Sequence, residues 1–511
     1  MNGSDNSEMT TLGEAELKAR VLICAYACHH HMGRTMPGGG DLMAWSLVKR
    51  LSRTHRLWVM TLDRNRKGIE AELERNPLQN VQFVYVGLPE WLRPLERCQG
   101  LFQLQAYLWQ WKAYFAARKL HRQIRFDAFH HLTYENDWMA SPTGALLPIP
   151  YLRGPGGGAH FVPAEFRVKF GARSRLWEYF RIGMQWVFRH DPFFALGQER
   201  ARVLLMANRE ALEALPGRWQ RKAQLMSVNG VSMAEAEALP NAPPHSPSGN
   251  SEKNHRNVIL SEAKDLRSSS WSNDIRTTAE ILRSAQDDRQ LASSDSSRER
   301  AEGKVALPRN GKFRVLTAGR LVPIKGFDLA IRAFNEWRRV SGARCQGSAE
   351  HGSPSAELVI VGEGPERERL ERLARELGLN GQVKFPGWMA RESLLKEMAA
   401  ADVFLFPSLR DGGGLVVVEA MAVGKPVVCL DLAGPGLHVT PECGVKVPAH
   451  SPQQAVGDLA GALERLHADP HLRLRMGQAA RERAREVYDW DRIAQRISAL
   501  YRDIVVSPRR H

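Results

Sequence analysis

In "FLFPSLRDGGGLVVVEAMAVGKPVVCLD", residues 404–431, two apolar runs enclose a glycine-rich turn and a helix-length segment. Asp411 stands before three glycines, and Glu419 follows within the helical segment. Glycine backbone can approach a ligand closely because it has no Cβ atom, and a helix N-terminus favours negative charge. Carboxylates accept hydrogen bonds from hydroxyl groups, so a sugar and a ribose are natural partners here. The pattern predicts a ligand site at a strand end; the simpler alternative is a glycine turn with a capping Asp411 and a solvated Glu419.

Strand-like and helix-like patterns alternate on both sides of this stretch. Helical spacing of apolar residues is clearest in 42–55, 327–340, 367–379 and 415–424. The strand-like runs occupy 20–26, 56–62, 81–87, 126–134 and 150–158 in the first half, and 313–321, 356–365, 383–388, 401–408 and 426–431 in the second. This alternation predicts an α/β protein with two sheets, each mainly parallel. In such sheets ligands bind at the carboxyl ends of the strands, which is where the glycine-rich turn falls.

A second motif, "TAGRLVPIKGFDLAI", places two cations after the strand-like run 313–321. Arg320 and Lys325 precede a helical segment that starts near Gly326. Two cations beside a helix N-terminus make a site for phosphate, although both side chains could also be solvated in a loop. The next strand-like run ends in "IVGEGP", where Gly364 belongs to a tight turn that is chiefly structural but can present its backbone to a flat ligand.

The composition restricts which binding partners and which cellular compartment we expect. The chain has 511 residues, 43% of them hydrophobic, and a formal net charge of +15, which favours anionic partners. The six cysteines are scattered, as is typical of reduced thiols in the cytoplasm. We expect neither a secretory signal nor a membrane-spanning helix. Cys24 and Cys28 in "CAYACHHH" suggest zinc, but Cys24 lies in a run predicted to be a buried strand, so we expect no metal site.

Two segments combine aromatic and basic residues at helical spacing: 91–126 and 166–190. Amphipathic helices of this composition suit an anionic membrane surface. They are equally consistent with core helices whose basic faces are solvated, and the sequence leaves both interpretations open.

Residues 240–305 are rich in Ser, Asn, Asp, Arg and Pro and lack apolar periodicity, so we expect a disordered insertion. The peptides "VILSEAKDL" (258–266) and "EILRSAQDD" (280–288) can be encoded by nearly complementary DNA strands, which suggests an inverted repeat inserted into the gene. We expect complementary arms in the coding DNA, and sequencing would test this.

The motifs together resemble the retaining glycosyltransferases of the GT-B fold, specifically family 4, also called the group 1 glycosyl transferases. "PSLRDGGGLVVVEAMAVGKPVV" is similar to the family's donor motif, with Asp411 in place of the usual first Glu and the spacing to Glu419 kept. "GRLVPIKG" and "VGEGP" are similar to its phosphate clamp and to the turn after the next strand. "FHHLTY" and "RGPGGG" match one subgroup, whereas the first loop, "HHHMGRTMPGGGD", departs from that subgroup's pattern.

The resemblance implies two Rossmann-like domains that face a central cleft. We expect a disordered tail over 1–19, an acceptor domain over 20–239 and a donor domain over 306–488. A C-terminal helix over 489–508 would return to complete the first domain.

The resemblance also implies a role for each motif residue. Arg320, Lys325, Asp411 and one of the histidines His130 and His131 are the expected catalytic residues; His130 fits the family spacing slightly better. The expected donor-binding residues are Gly38, Gly39, Gly40, Gly364, Gly412, Gly413, Gly414, Leu415 and Glu419. Asp411 is one methylene shorter than the usual Glu, and we expect the glycine-rich loop to draw inward to compensate.

The expected activity is transfer of a sugar, with retention, from a UDP- or GDP-linked donor to a glycan, lipid-linked or small-molecule acceptor, as in cell-envelope or exopolysaccharide biosynthesis. No metal cofactor and no nucleic acid partner are expected. The expected location is the cytoplasm, with the inner face of the cytoplasmic membrane left open. Two rivals remain: a nucleotide-sugar or sugar-phosphate enzyme on the same fold, and a decayed scaffold that binds a membrane or nucleic acid. Calorimetry with UDP or GDP separates an enzyme from a scaffold.

The insertion is expected to be dispensable, because the entropy of closing a flexible loop changes only logarithmically with its length. Replacing 243–303 by a short Gly/Ser linker should leave the melting temperature and nucleotide affinity close to those of the parent. A large loss of either would show that the segment packs or acts.

Overall fold

The computed structural model describes residues 19–28, 39–90, 102–133, 136–158, 160–168, 170–227, 229–238, 312–345 and 355–506. The expected N-terminal tail up to residue 18, the expected insertion 240–305 and Gly38 lie outside these described residues.

Two parallel sheets organise the described chain. The first has seven strands in the spatial order β3-β2-β1-β4-β5-β6-β7: β1 Arg20–Ala25, β2 Arg56–Leu62, β3 Val81–Val86, β4 Ala128–Thr133, β5 Tyr151–Gly156, β6 Val203–Met206 and β7 Ala223–Leu225. The second has six strands in the order β10-β9-β8-β11-β12-β13: β8 Phe313–Ala318, β9 Ala356–Val361, β10 Val383–Gly387, β11 Val403–Phe406, β12 Val427–Leu430 and β13 Gly444–Val447. The expected α/β class with two parallel sheets is confirmed.

Helices cover both sheets and follow most of the strands. In the first half they are α1 Gly39–Leu51, α2 Arg66–Arg75, α3 Phe102–Ile124, α4 Pro142–Leu146, α5 Ala164–Arg167, α6 Ala172–Arg189, α7 Pro192–Arg200, α8 Arg209–Glu213, α9 Gly217–Gln220 and α10 Met233–Glu237. In the second half they are α11 Phe327–Cys345, α12 Arg367–Glu376, α13 Arg391–Ala400, α14 Leu415–Ala422, α15 Ala433–His438, α16 Pro452–Ala468, α17 Pro470–Arg483 and α18 Trp490–Val506. A 3-10 turn spans Pro323–Lys325.

The strands are buried because helices pack on both faces of each sheet. Every residue of β4, β5 and β9 is buried, which explains why their sequences lack a regular alternation of apolar and polar residues. Among the described residues, no helix is both long and apolar enough to cross a bilayer.

The C-terminal helix α18 returns to the first sheet. The chain joins it to the segment after β7 through a parallel bridge between Val231 and Asp489. Ile493, Ile497 and Tyr501 of α18 then pack in the core of the first sheet. The Tyr501 hydroxyl lies 2.6 Å from Nδ1 of His130 in β4, and both side chains are buried.

Removing the Tyr501 hydroxyl should destabilise the fold, since it leaves a ring nitrogen of His130 without its partner. We expect Tyr501→Phe to lower the free energy of unfolding by about 1–3 kcal/mol, the usual consequence of an unsatisfied buried polar group. Denaturant titration checks this, with Tyr179→Phe on the exposed face of α6 as the matched control. Equal stability of Tyr501→Phe and the parent would contradict the contact.

Candidate active site

The loops after the neighbouring strands β8 and β11 meet at the carboxyl edge of the second sheet. Nζ of Lys325, in the 3-10 turn after β8, forms an ion pair with Oδ2 of Asp411, in the loop after β11. Lys325 also lies over the ring of Phe406, with Nζ 5.4 Å from the ring centroid. The amide of Leu409 donates to the carbonyl of Ile324 at 2.9 Å, so backbone as well as side chains holds the two loops together.

Asp411 also holds the start of helix α14. Its Oδ1 accepts hydrogen bonds from the amides of Gly414, at 2.7 Å, and Gly413, at 3.3 Å. Burial alone would raise the pKa of the Asp411 carboxyl, but the charge and hydrogen bond of Lys325 and the Gly414 amide outweigh burial, so this pKa is lowered. Asp411 is therefore ionised at neutral pH, and in this structure these two amides bond to Asp411 rather than to the cleft.

Arg320 lies on the β8 side of the same edge. Its side chain is exposed, and it has no ion pair within the part of the chain that the structure describes. Of the two cations in the motif, Arg320 is thus open to solvent, while Lys325 is already neutralised by Asp411. An anion arriving at this edge would meet Arg320 first.

Helix α15 of the second domain also fixes the glycine-rich loop. Nε2 of His438, in α15, lies 2.6 Å from the carbonyl of Gly413, and the amide of Gly434 donates to the carbonyl of Asp411 at 3.1 Å. A Cβ atom on Gly434 would lie 2.8 Å from the carbonyl oxygen of Gly412, which leaves no room for a side chain. The loop is therefore a rigid element in this structure.

Glu419 lies in α14, and its carboxylate is buried. Oε1 accepts from Nε of Arg391 at 2.6 Å, and Arg391 also forms an ion pair with Glu235 of α10. Burial raises the pKa of Glu419, and the charge of Arg391 opposes this rise only in part. Glu419 thus has a protein partner in this structure, and a ribose hydroxyl would have to share its carboxylate with Arg391.

The first domain touches the same loop through a second glycine-rich turn. Nδ2 of Asn208 donates to the carbonyls of Gly157, at 3.3 Å, and Gly412, at 3.4 Å, and so joins the loops after β5 and β11. A Cβ atom on Gly412 would lie 2.8 Å from the Gly157 oxygen. The contact therefore requires glycine at 412, where only a hydrogen atom fits between the domains.

Charged contacts flank this glycine contact on both sides. Arg410, next to Asp411, forms an ion pair with the buried Glu178 of α6. Oε1 of Glu210, in α8, accepts from the amide of Ala433 at 2.6 Å. The carboxyl edges of the two sheets thus face each other and are joined in this structure.

His160 lies at this junction, in the loop between β5 and α5. Its side chain is buried, and neither ring nitrogen has a hydrogen-bond partner within the described residues. Burial, followed by the charges of Arg181 and Arg410, lowers the pKa of His160 to about 4, although Asp411 opposes the shift. His160 is therefore neutral at neutral pH, and it borders a cavity of about 400 Å³ that Arg167, Arg189 and Glu210 also line.

The expected role of His130 or His131 beside the donor stays a prediction. Both ring nitrogens of His130 are engaged inside the first domain, Nδ1 with Tyr501 and Nε2 with the carbonyl of Gly154 at 2.7 Å. Burial lowers the pKa of His130 to about 4. Successive residues of a strand point to opposite faces, so His131 lies on the other side of the sheet; it is also buried, and its Nδ1 has no partner among the described residues. His130 thus lies between β5 and α18 in this structure, and both histidines stay candidates.

The remaining predicted residues fall at element ends. Gly39 and Gly40 begin α1, and Leu415 begins α14. Gly364 packs the turn after β9 against the loop after β8, because a Cβ atom there would lie 2.3 Å from the Leu321 oxygen. Burial raises the pKa of the Cys24 thiol, which keeps it protonated and unsuited to binding metal. Among the described residues, no three His, Cys, Asp or Glu side chains are grouped closely enough to hold a metal ion.

The sequence reasoning missed the residues that connect the domains. Asn208 follows the short strand β6, and its Oδ1 caps α8, so its position before a helix was the available signal. Arg410 stands directly beside Asp411 and could have been singled out. Glu178 and His160 carried no signal, because their significance depends on the packing of α6 against the second domain.

The sequence is similar to two curated relatives. It is 36% identical to the D-inositol 3-phosphate glycosyltransferase of Acidothermus cellulolyticus over 218 residues, which are 41% of this chain and 45% of the relative. It is 34% identical over 186 residues, 35% of this chain and 44% of the relative, to the GDP-mannose-dependent monoacylated alpha-(1-6)-phosphatidylinositol monomannoside mannosyltransferase of Corynebacterium glutamicum. The chain thus spans somewhat less than half the length of these relatives.

Solved structures match over nearly the whole chain. A glycosyltransferase from Rickettsia africae superposes with a TM-score of 0.55 at 12% identity, over 96% of this chain and 100% of that one. Anabaena Alr3699/HepE, determined in complex with UDP, superposes with a TM-score of 0.52 at 17% identity, over 95% and 100%. At these identities the matches describe the fold, which is the GT-B architecture of two facing α/β domains. In sequence, residues 299–483 match the family described as Glycosyl transferases group 1.

The buried, neutral His160 should make stability depend on pH. In the unfolded chain a histidine has a pKa near 6.5, and in the fold that of His160 is about 4. The stabilisation is complete above about pH 6.5 and is lost as the pH falls to about 4, because there only the unfolded chain binds the proton. In the parent, this histidine should cost about 3 kcal/mol of unfolding free energy between these pH values, at 1.36 kcal/mol per pKa unit. His160→Gln should not show this part of the loss.

Denaturant titrations between pH 4 and pH 7.5 measure this loss, and His471→Gln, at an exposed site, is the matched control. An unchanged pH dependence in His160→Gln would show that this histidine does not titrate between the folded and unfolded states as described.

Proposed function

We propose that this protein is a retaining, family 4-type glycosyltransferase that moves a sugar from a nucleotide-diphosphate sugar to an acceptor hydroxyl. The observation that carries the proposal is the paired Lys325 and Asp411, with Arg320 beside them, at the carboxyl ends of adjacent strands facing the first domain. In the reaction, the bond between the sugar C1 and the diphosphate oxygen breaks, and a bond from C1 to the acceptor oxygen forms on the same face. The acceptor hydroxyl gives its proton to the departing diphosphate oxygen, and the nucleoside diphosphate leaves.

Each residue has a role that its position supports. Arg320, which is exposed, binds the diphosphate, and Lys325 stabilises the negative charge that develops on the leaving oxygen. Asp411 positions Lys325 and holds the loop against which the donor sugar would lie. Glu419 would bind the ribose in competition with Arg391. The joined glycine turns exclude water from the sugar, which disfavours hydrolysis of the donor.

The donor and acceptor classes draw on the similar proteins. UDP in the Anabaena structure and GDP-mannose in the name of the Corynebacterium relative support a nucleotide-diphosphate sugar as donor, with either base. The inositol 3-phosphate and the phosphatidylinositol monomannoside in the relatives' names support an anionic or lipid-linked acceptor, with a glycan as the other class. The cavity bordered by Arg167 and Arg189 suits such an acceptor in charge.

We propose that the reaction takes place in the cytoplasm, at the inner face of the cytoplasmic membrane, as a step of envelope or exopolysaccharide synthesis. No metal cofactor is proposed, because Arg320 and Lys325 can supply the positive charge that the diphosphate needs. Turnover that is lost in EDTA and restored by Mg²⁺ or Mn²⁺ would overturn this part.

The experiment that tests the proposal is a screen of UDP- and GDP-sugars for binding, donor hydrolysis and transfer, followed by Asp411→Asn. The substitution keeps an oxygen for the amides of Gly413 and Gly414 but removes the charge that holds Lys325. We expect turnover to fall by about ten- to a thousandfold, the scale of one charged hydrogen bond plus some misplacement of the sugar. Asp411→Glu should not restore or improve turnover, because the longer side chain must fit a loop held on both sides.

Asp469→Asn is the matched control, since Asp469 also caps a helix and lies near a cation, Arg475, but on the surface. Turnover in Asp411→Asn equal to that of the parent would show that Asp411 does not act in the site. Absence of binding to every nucleotide and nucleotide sugar at millimolar concentration would contradict the proposed function as a whole.

A further inference from the structure

Helix α6 turns its polar face toward the protein and its apolar face toward solvent, which is the reverse of an ordinary surface helix. Its outward face is apolar, with Leu176 71% exposed, Trp186 64% and Val187 61%. Tyr179 and Phe180 extend the same face, at 60% and 45% exposure. We call these five residues the α6 stripe; they lie at the three- and four-residue spacing that places side chains on one side of a helix.

The inward face of α6 is polar instead. Glu178 and Gln185 are almost completely buried, and Glu178 forms the ion pair with Arg410. Nε2 of Gln185 and Nη2 of Arg181 both donate to the carbonyl of Gly158, at 3.0 and 2.9 Å. The inward face therefore fixes the loop after β5 and the residue beside Asp411, and this role prevents the helix from turning its apolar face inward.

The contrast with α3 shows that the exposure is particular to α6. Helix α3 has a similar aromatic and basic composition, but it buries Trp109, Ala113 and Ala117 in the core. Leu104 and Phe115 are exposed among the apolar side chains of α3 that the structure describes. Of the two segments that the sequence marked as membrane-binding or core helices, α3 has the packing of a core helix and α6 does not.

We propose that the α6 stripe docks on an anionic lipid surface. Charge supports lipid over other occupants: the one carboxylate in the sequence of α6, Glu178, is buried and paired on the opposite face, while Arg175 beside the stripe is exposed. The formal net charge of +15 adds attraction at longer range. Trp and Tyr are the side chains that suit the boundary between water and lipid, because each has an apolar body and a polar group.

Docking through α6 would place the active site at the membrane. The polar face of the helix holds Arg410, the neighbour of Asp411, so the proposed donor loop lies about one helix diameter, roughly 10 Å, from the lipid surface. A lipid-linked acceptor could then reach the cleft without leaving the bilayer. This deepens the proposed function by naming the surface that carries the enzyme to its acceptor.

The test is cosedimentation of the full chain with vesicles, in the absence of donor and acceptor. We expect binding to vesicles of phosphatidylcholine with phosphatidylglycerol, weaker binding at high salt, and little binding to phosphatidylcholine alone. The double variant Leu176→Gln, Trp186→Gln should bind at least about tenfold more weakly, because it removes two of the apolar side chains that would enter the lipid. Phe115→Gln on α3 is the matched control and should bind like the parent.

Two further measurements keep the outcome unambiguous. The melting temperature of the double variant should equal that of the parent, since both side chains are exposed, and in protein with native α6 the fluorescence of Trp186 should shift to the blue on vesicle binding. Equal vesicle binding by the parent and the double variant overturns the proposal. So does a dimer in solution that the double variant dissociates, since a second copy would then cover the stripe. Because no turnover is measured, failure here is separate from failure of the proposed transferase activity.

Discussion

The ion pair between Lys325 and Asp411 is the interaction on which the site depends, because one carboxylate satisfies two different demands. Oδ2 pairs with the cation after β8, and Oδ1 accepts the amides that begin α14 after β11. A largely buried carboxylate such as that of Asp411 needs such partners to replace the water it has lost. The lowered pKa of Asp411 shows that the partners outweigh burial. The two strand ends are therefore held in one geometry before any ligand arrives.

Polar contacts of the first domain are made with that fixed loop and not with the strands beneath it. Asn208 bonds the carbonyl of Gly412, and Glu178 bonds Arg410, so both contacts reach residues adjacent to Asp411. Such polar contacts are individually modest, and apolar packing accompanies them, since Val162 and Phe166 lie in the hydrophobic core of the second domain. The absence of a side chain at Gly412 matters here, since a Cβ atom there would lie only 2.8 Å from the Gly157 oxygen across the junction.

The long apolar strands could be predicted from the sequence because parallel strands buried on both faces read as continuous hydrophobic runs. The α/β class and the positions of Arg320, Lys325 and Asp411 at strand ends followed from those runs and from the turn residues between them. The strands β6, β7 and β13 were missed, because such short runs were recognised only beside a motif, as the equally short β11 and β12 were beside the glycine-rich turn. The choice between His130 and His131 could not be made either: adjacent residues of a strand face opposite sides, and the side that holds α18 is known only from packing. The reversed polarity of α6 was invisible for the same reason, since a helical period identifies two faces but not which of them is inside.

The double role of Asp411 also explains why the shorter acid suits this loop. An aspartate reaches the amides two and three residues ahead of it, as Asp411 does with Gly413 and Gly414, whereas a glutamate must bend back to make the same bonds. One oxygen of the shorter carboxylate thus accepts hydrogen bonds from its own loop, and the other pairs with Lys325. In the proposed reaction, the two cations Arg320 and Lys325 therefore have different roles. The exposed Arg320 can attract the diphosphate in the ground state, while Lys325, partly neutralised by Asp411, gains most when negative charge grows on the leaving oxygen. An interaction that strengthens toward the transition state raises the rate more than one that binds the substrate equally well throughout.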